Sequence, residues 1–405
     1  MSPVYFDHNA TTPLSPTALK SLQDSLVEFG NPSSIHTFGR GPKKILRDLR
    51  ELLAQTLGCH GVEICLTSCA SEANTSILQT AWRWGRENQR NEIITSTVEH
   101  PSVAKTIEQF EIDFLESHGA VVHRLAPLRD GTFPIEKLKA LLGEKTALVS
   151  IMAANNETGT VFPFHKIAKL AKAAGALVHM DGVQLLGKIP FSFKNWEGDY
   201  LSLSAHKFYS LKGLGAAIIR RGSPWDSLIR GGPQERQRRA GTENVQAAAS
   251  WVGSLIEWRE KAEKNLVLLA QLRDHFEARV MEEIPDVEIP CASAPRIPNT
   301  SSLIIAGIQG ETLLMSLDLK GFAVGTGAAC SSGRPEPSAT LLGFGLTRAE
   351  AESSLRVSFG WFNQLAEVDA FVDTLKTVVS RLRNLNPKYL RSQLANTPQE
   401  EVLID

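Results

Sequence analysis

Apolar positions along this chain keep one rhythm from about residue 63 to residue 220 and lose it afterwards. Within that stretch, short apolar runs at 63–67, 92–96, 120–125, 147–152, 176–180, 199–204 and 214–220 read as strands. Helical spacing separates several of them. Ile167, Leu170, Ala171 and Ala174 stand at i, i+3, i+4 and i+7, one face of an amphipathic helix that Gly175 closes. Another helix is predicted from the polar turn at 68–74 to about Trp84, and a third opens at Pro101, a residue suited to the first helical position. Strands alternating with helices over about 150 residues predict a mostly parallel α/β sheet of seven strands, with helices on both faces.

Segments 18–29 and 43–57 carry helical spacing ahead of the sheet. Near Trp251 the texture changes. A charged helix is predicted over 257–283, with Leu266, Leu269, Leu272 and Phe276 on its apolar side. Short proline-punctuated strands follow, then the Gly/Ser-rich loop 325–333 and an amphipathic stretch at 367–382. The tail 386–405 is polar and holds Pro387 and Pro398. These changes predict two domains. Residues 15–255 form a large α/β domain; residues 1–14 and 256–405 form a smaller α+β domain carrying the 325–333 loop.

Composition narrows the function classes. With 42% hydrophobic and 21% charged residues among 405, the chain reads as an ordinary globular protein able to bury a large core. A formal charge of −1 offers no field to recruit nucleic acid or an anionic membrane, so neither is an expected partner. The basic run Arg236-Gln-Arg-Arg239 reads as a solvated or phosphate-facing patch. No apolar run approaches the ~20 residues of a transmembrane helix, and the opening lacks the basic and apolar regions of a secretory signal. Five cysteines, an odd number, argue against a disulfide framework and for a reducing compartment, with the cytoplasm as the expected location.

Candidate chemistry concentrates after the 199–204 strand. Leu201 and Leu203 alternate there with Ser202 and Ser204, and the strand ends in Ser204-Ala-His206-Lys207 before the turn Lys212-Gly213-Leu214-Gly215. A lysine at the tip of an apolar strand can bury its stem, which disfavours the ammonium form and frees the amine as a nucleophile. Such amines form Schiff bases with carbonyl compounds and with pyridoxal phosphate. An isolated loop lysine is usually just solvated, so the reading depends on what the other strand ends carry.

Ligands of parallel α/β sheets sit outside the carboxyl ends of the strands, and polar residues collect there. Ser68, Ala70 and Ser71 lie at a strand-to-helix turn, where backbone N–H groups and a hydroxyl can cradle a phosphate. A plain N-cap explains the serines equally well. His100 ends the next strand, as a ligand contact or as a hydrogen-bonded core histidine. Asn155-Asn156-Glu157-Thr-Gly159 follows the 147–152 strand and is open to a binding or a turn reading. Asp181 ends another strand amid Leu177, Val178 and Met180; buried there, it requires a cationic partner. A protonated pyridine nitrogen is one, and pyridoxal chemistry needs such a carboxylate.

Three further positions complete the set. Thr242, in Arg239-Ala-Gly-Thr-Glu-Asn244, offers a hydroxyl to a phosphate. Arg356, on an alternating segment of the smaller domain, can clamp a substrate carboxylate with two N–H groups, or form a surface ion pair. Cys330 sits in Gly325-Thr-Gly-Ala-Ala-Cys-Ser-Ser-Gly333, small and polar sequence that predicts an accessible thiol, inert or nucleophilic. No metal site is predicted.

With these residues in place, the chain resembles the cysteine desulfurases, within the class V aminotransferase group, from Phe6-Asp-His-Asn-Ala-Thr-Thr-Pro13 to about Leu382. The most specific stretches are Gly30-Asn-Pro-Ser-Ser, Asn155-Asn-Glu-Thr-Gly, Ser204-Ala-His-Lys207, Arg238-Arg-Ala-Gly-Thr-Glu-Asn244 and Cys330-Ser-Ser-Gly. The short spacing from Cys330 to Glu336-Pro-Ser338 resembles the branch with a long catalytic-cysteine loop, which serves iron–sulfur assembly.

The resemblance implies fold type I of the pyridoxal 5'-phosphate enzymes and a role for each matching position. Lys207 would hold the cofactor and move the substrate's α-proton. Ala70, Ser71, Ser204, His206 and, from the partner subunit of a homodimer, Thr242 would bind its phosphate. His100 would stack on the ring, Asp181 would pair with its nitrogen, and Gln184 and Asn156 would meet its phenolic oxygen. Arg356, with Asn156 nearby, would bind the carboxylate of L-cysteine. Cys330 would take the sulfur as a persulfide, leaving L-alanine, and pass it to an acceptor such as an iron–sulfur scaffold protein. In one departure, Cys69 replaces a family glycine, which predicts strain if the backbone there needs φ > 0. In another, the family's Ser-Ser-Gly-Ser-Ala-Cys stands here as Gly325-Thr-Gly-Ala-Ala-Cys330. Alternatives are a selenocysteine lyase or related C–S lyase on the same scaffold, and a non-catalytic sulfur-relay scaffold protein.

Overall fold

Seven short strands build the central sheet of the computed structural model, which describes residues 3–327, 336–387 and 389–391, the side chains of 114–118 excepted. Their spatial order is Ile64–Thr67, Gly215–Ile219, Tyr200–Ser204, Leu177–Asp181, Thr146–Ser150, Glu92–Ser96, Val121–Leu125. Only Gly215–Ile219 runs antiparallel to its neighbours. This is the mostly parallel seven-stranded α/β sheet that the alternation of periods predicts.

Side chains alternate into two apolar layers. Cys65, Ile93, Leu148, Leu177, Tyr200 and Ala217 pack with Ile77 and Trp82 of helix Ala70–Glu87 and with Val103 and Ile107 of helix Pro101–His118. Ile64, Leu66, Ile94, Val149, Val178, Leu201 and Ile218 join Ile167 and Ala171 of helix Phe164–Ala173 and Trp251 of a longer helix. Both faces are covered, as parallel sheets require. The Leu/Ser alternation of Tyr200–Ser204 therefore separates two buried layers, not core from water. All five residues are buried, and Ser202 Oγ lies 3.3 Å from His179 Nε2.

Helix boundaries differ from the sequence pattern where breakers or small residues intervene. Helix Pro16–Ser25, capped by Ser15, stops short of Phe29 and leaves Leu26, Val27 and Phe29 exposed. Helix Thr37–Leu57 begins before the predicted residue 43, taking Gly39, Gly41 and Pro42 into its first two turns. The longest helix runs Val245–Glu283, capped by Asn244 Oδ1 accepting from Ala247 N at 3.0 Å, and so starts twelve residues before residue 257. Its first turns bury Ala247, Ala248, Ala249 and Ser250. The change of texture near Trp251 marks passage from core to surface within one element.

Beyond it, Ser354–Ser358, Thr300–Ile305 and Val287–Glu288 form a three-stranded antiparallel sheet flanked by helices Gly310–Asp318 and Leu365–Asn384. The opening strand Val4–Tyr5 pairs in parallel with Phe322–Ala323, tying the N-terminal segment to the C-terminal third of the chain. Part of the polar tail is tied down: Asn386 Nδ2 donates to Gly307 O at 2.8 Å and the Tyr389 hydroxyl to Asp286 Oδ2 at 2.6 Å.

The edge strand Ile64–Thr67 is closed by side chains. Leu66 N–H donates to Glu235 Oε2 at 2.9 Å, and Arg238 Nη2 donates to Ile64 O at 2.7 Å. Glu235, Arg236 and Gln237 form a left-handed run (φ 47°, 58° and 63°) at a cost of roughly 1–2 kcal/mol per residue. The buried ion pair of Glu235 with Arg50 helps to hold this turn in place.

Candidate active site

The carboxyl ends of five sheet strands open into one cavity of about 300 Å³. Its wall from the Ile64–Thr67 strand is the turn Cys69-Ala70-Ser71, at the N-terminus of helix Ala70–Glu87. The first N–H groups of that helix have no partner within it, which makes the turn a natural anion cradle. Cys69 is extended (φ −169°, ψ 171°), so the condition for strain, a positive φ, is not met and the Gly-to-Cys departure brings none. The demand for glycine falls instead on Gly215, in the neighbouring strand. A Cβ there would lie 2.6 Å from Cys69 C, 2.8 Å from Leu203 O and 2.9 Å from Ala70 N. Glu72 steadies the turn by accepting from Ser68 N at 2.8 Å while paired with Arg239 at 2.9 Å. Burial raises the Glu72 pKa, but the bonds from Arg239 and Ser68 outweigh it and leave the carboxyl below its ordinary range.

On the opposite side, the Tyr200–Ser204 strand delivers Ser204, His206 and Lys207 to the cavity. Burial, and then the nearby Arg356 charge, push the Lys207 amine down to about 8, against a smaller pull from Asp7 and Asp181. Its Nζ donates to Asn9 O at 2.5 Å and Ala10 O at 2.7 Å. Burial together with Lys207 and Lys212 lowers His206 to about 4, so the ring is neutral at physiological pH.

Asp181 is buried at the end of its strand, with Asn74 Nδ2 on Oδ2 at 2.9 Å and Val183 N on Oδ1 at 3.0 Å. Both donors are neutral, and no cation among the described residues pairs with it. A buried carboxylate so placed calls for a bound cation. Gln184 Nε2 donates to Asn9 O at 3.2 Å, and its Oε1 accepts from Lys188. Arg356, 9% exposed, donates from Nη2 to Asp7 Oδ1 at 2.6 Å and leaves its buried Nε without a partner among the described residues. Asn155 and Asn156 divide the two readings of their segment. Asn155 Oδ1 accepts from Glu157 N and Thr158 N, which is turn chemistry, whereas Asn156 lines the cavity.

The cavity thus gathers Ala70, Ser71, His100, Asn156, Asp181, Gln184, Ser204, His206, Lys207 and Arg356. Thr242 is exposed and outside the cavity of its own chain. Cys330 lies outside the described residues. Sequence reasoning missed Asn9, Asn74, Ser102 and Lys188. Asn9 is the hub of the site: its N–H donates to Ser358 Oγ (2.9 Å), its Nδ2 to Thr300 Oγ1 (2.7 Å) and Asn156 O (3.0 Å), and its Oδ1 accepts from Lys188 (3.0 Å). Its place in a polar run next to Asp7 and His8 was the one available signal. Among the described residues no cluster of three or more His, Cys, Asp or Glu is arranged to hold a metal, and no helix is long and apolar enough to cross a membrane.

These residues fit a pyridoxal phosphate: an anion cradle at one end, a depressed amine, and a buried carboxylate lacking a cation. Comparison with known proteins agrees. The class-V aminotransferase family matches residues 4–371. A cysteine desulfurase of Cereibacter sphaeroides is 40% identical over 389 residues, 96% of this chain and 98% of that one. The cysteine desulfurase NifS of Azotobacter vinelandii is 36% identical over 396 residues, 96% and 95% of the two chains. A solved NifS-like protein superposes with a TM-score of 0.85 at 34% identity, covering 94% of this chain and 100% of that one. The chain belongs to the class-V aminotransferase family and, within it, to the cysteine desulfurases.

Proposed function

We propose that this cysteine desulfurase holds pyridoxal 5'-phosphate in the 300 Å³ cavity and converts L-cysteine to L-alanine, with the sulfur passing to Cys330. The observation that carries the reading is the pairing, in one cavity, of the depressed Lys207 amine with the cation-free buried carboxylate of Asp181. Ala70, Ser71, Ser204 and His206 would hold the phosphate, His100 would face the ring, and Gln184 and Asn156 would meet its phenolic oxygen. When bound, the ring withdraws electrons from the substrate's α-carbon.

Lys207 is the tether and afterwards the base that takes the α-proton. Arg356 receives the substrate carboxylate in place of Asp7, and its Nε, which has no partner among the described residues, supplies a second donor. The Cys330 thiolate attacks the substrate sulfur. The C–S bond breaks with its electron pair left on carbon, which takes a proton to become alanine, and the enzyme keeps a persulfide.

The exposed Leu26, Val27 and Phe29 and the outward position of Thr242 support a homodimer in which Thr242 reaches the partner's phosphate. The spacing from Cys330 to Glu336-Pro-Ser338, similar to that of the branch with a long catalytic-cysteine loop, supports an iron–sulfur scaffold or a similar protein as sulfur acceptor. Cytoplasmic location and a division at residues 255/256, within helix Val245–Glu283, complete the proposal.

The test is the visible absorbance of purified protein, before and after borohydride and with L-cysteine. Lys207→Ala should abolish the reducible chromophore. Cys330→Ala should keep it and lose sulfide production while the persulfide disappears. Colourless protein that takes up no cofactor would instead support a scaffold without catalysis, and unchanged sulfide release from Cys330→Ala would remove the persulfide role.

A further inference from the structure

Beneath the cavity, helix Ala70–Glu87 presents Asn74, fully buried. Its Nδ2 donates to Asp181 Oδ2 and to Ser102 Oγ, at 2.9 Å each. A carboxylate only accepts, so the amide nitrogen must face Asp181, and chemistry sets the orientation of Asn74. Ser102 Oγ receives that second N–H and lies 2.8 Å from His100 Nδ1. The Ser102 backbone N–H converges on the same nitrogen at 3.1 Å. Nδ1 must therefore carry the lone pair, and the ring's proton sits on Nε2.

We infer that Asn74 and Ser102 are positioning residues, a hydrogen-bond relay that diverges from the Asn74 amide to lock the Asp181 carboxylate on one side and, through Ser102, to fix His100 as the neutral Nε2–H tautomer on the other. This rests on the roles proposed above for Asp181 and His100. The charged groups facing His100 are Asp181 and Lys207, of opposite sign; partial burial in the cleft, the larger effect, lowers its pKa and favours the neutral ring. Asn74 gives up something for the arrangement: its Oδ1 is buried without a partner among the described residues. Nε2–H is then a hydrogen-bond donor and not a base. An imidazole so fixed can lie over a cationic ring without adding a second positive charge to the cavity.

The test is nitrogen NMR of ¹⁵N-histidine-labelled full chain, with and without pyridoxal phosphate, the His100 signals assigned by their loss in His100→Gln. Wild type should show protonated Nε2 and bare Nδ1 in both forms. Ser102→Ala removes the shorter of the two donors to Nδ1 and leaves only the backbone N–H at 3.1 Å, so it should admit a detectable fraction of the other tautomer and lower kcat about tenfold with KM for L-cysteine nearly unchanged; Ser102→Thr, which keeps the hydroxyl, should restore both. Asn74→Ala should perturb the tautomer in the same direction. A wild-type ring protonated on Nδ1, or a tautomer untouched by Ser102→Ala, would overturn the relay. Because the cofactor-free spectrum reads the tautomer directly, failure of the relay is distinguishable from failure to bind the cofactor.

Discussion

Lys207 and Arg356 show how far two cations can be pressed together before one gives way. Arg356 is paired with Asp7, while Lys207, under burial first and the Arg356 charge second, is pushed down to about 8. Because only the neutral amine attacks an aldehyde, cofactor capture by the cofactor-free chain should rise with pH to a half-maximum near 8, not near the ordinary lysine value of about 10.4. Arg356→Ala removes a charge that opposes the ammonium, so the midpoint should move upward. The same variant should raise KM for L-cysteine at least about tenfold, the worth of a charge-assisted hydrogen bond. Stopped-flow absorbance across pH 6–10 and steady-state kinetics check the two halves. Residues of this kind were legible in the sequence because strand ends announce themselves by a break in apolar rhythm. Asn9 and Asn74 were not, since their side-chain partners stand 28 to 349 residues away; Ser102 was not, because a serine two residues after His100 reads as ordinary first-turn chemistry until Asn74 is placed against it.

At the scale of the element, strands were easier to place than helix starts. The seven strands coincide with the apolar runs within two residues at either end, because all but the edge strand Val121–Leu125 are almost wholly buried and each is bounded by turn chemistry. The Val245–Glu283 helix was read from 257 because its buried first turns use alanine and serine, which carry little periodicity. Gly215 shows a constraint visible only in three dimensions. Gly215→Ala should push the Cys69-Ala70 backbone out of place, destabilise the fold by about 1–3 kcal/mol and weaken cofactor affinity. Urea denaturation and equilibrium titration with pyridoxal phosphate measure these, and unaltered affinity would refute the close approach. Glu235→Ala should cost about 3 kcal/mol, since it strands the Leu66 N–H and leaves Arg50 without its buried acid. Loss of less than about 1 kcal/mol in a urea melt would show that the edge is held otherwise.

Over the whole molecule, buried titratable groups tie stability to pH. Glu99 accepts from Ser96 Oγ at 2.5 Å and Met152 N at 3.1 Å, yet burial, with Asp181 adding to it, pushes its carboxyl up to about 8. In the unfolded chain the same group titrates near 4.3. Its folded pKa is raised, so the stability it contributes is fully present below about 4.3 and is lost as pH rises through 8, by up to about 1.4 kcal/mol per pH unit. His8 and His179, lowered by burial to about 4, act in the opposite sense and between pH 4 and 6.5. The difference between wild type and Glu99→Gln isolates the carboxyl. Wild type should lose stability relative to the variant between pH 6 and 8, and parallel urea midpoints over that range would show Glu99 ionised in the fold.

The Asn9 hub also bears on when the enzyme can be made active. The carbonyls that receive Lys207 belong to residues 9 and 10, and Asn9 is itself held by Thr300 and Ser358, near the far end of the chain. A growing polypeptide exposes residue 207 long before residue 358 leaves the ribosome, so the anchoring amine waits, unsupported, through much of translation. Loading of the coenzyme is thereby deferred to the almost finished product, and a fragment cut short of the 354–358 strand should stay empty however completely its seven-stranded sheet has formed.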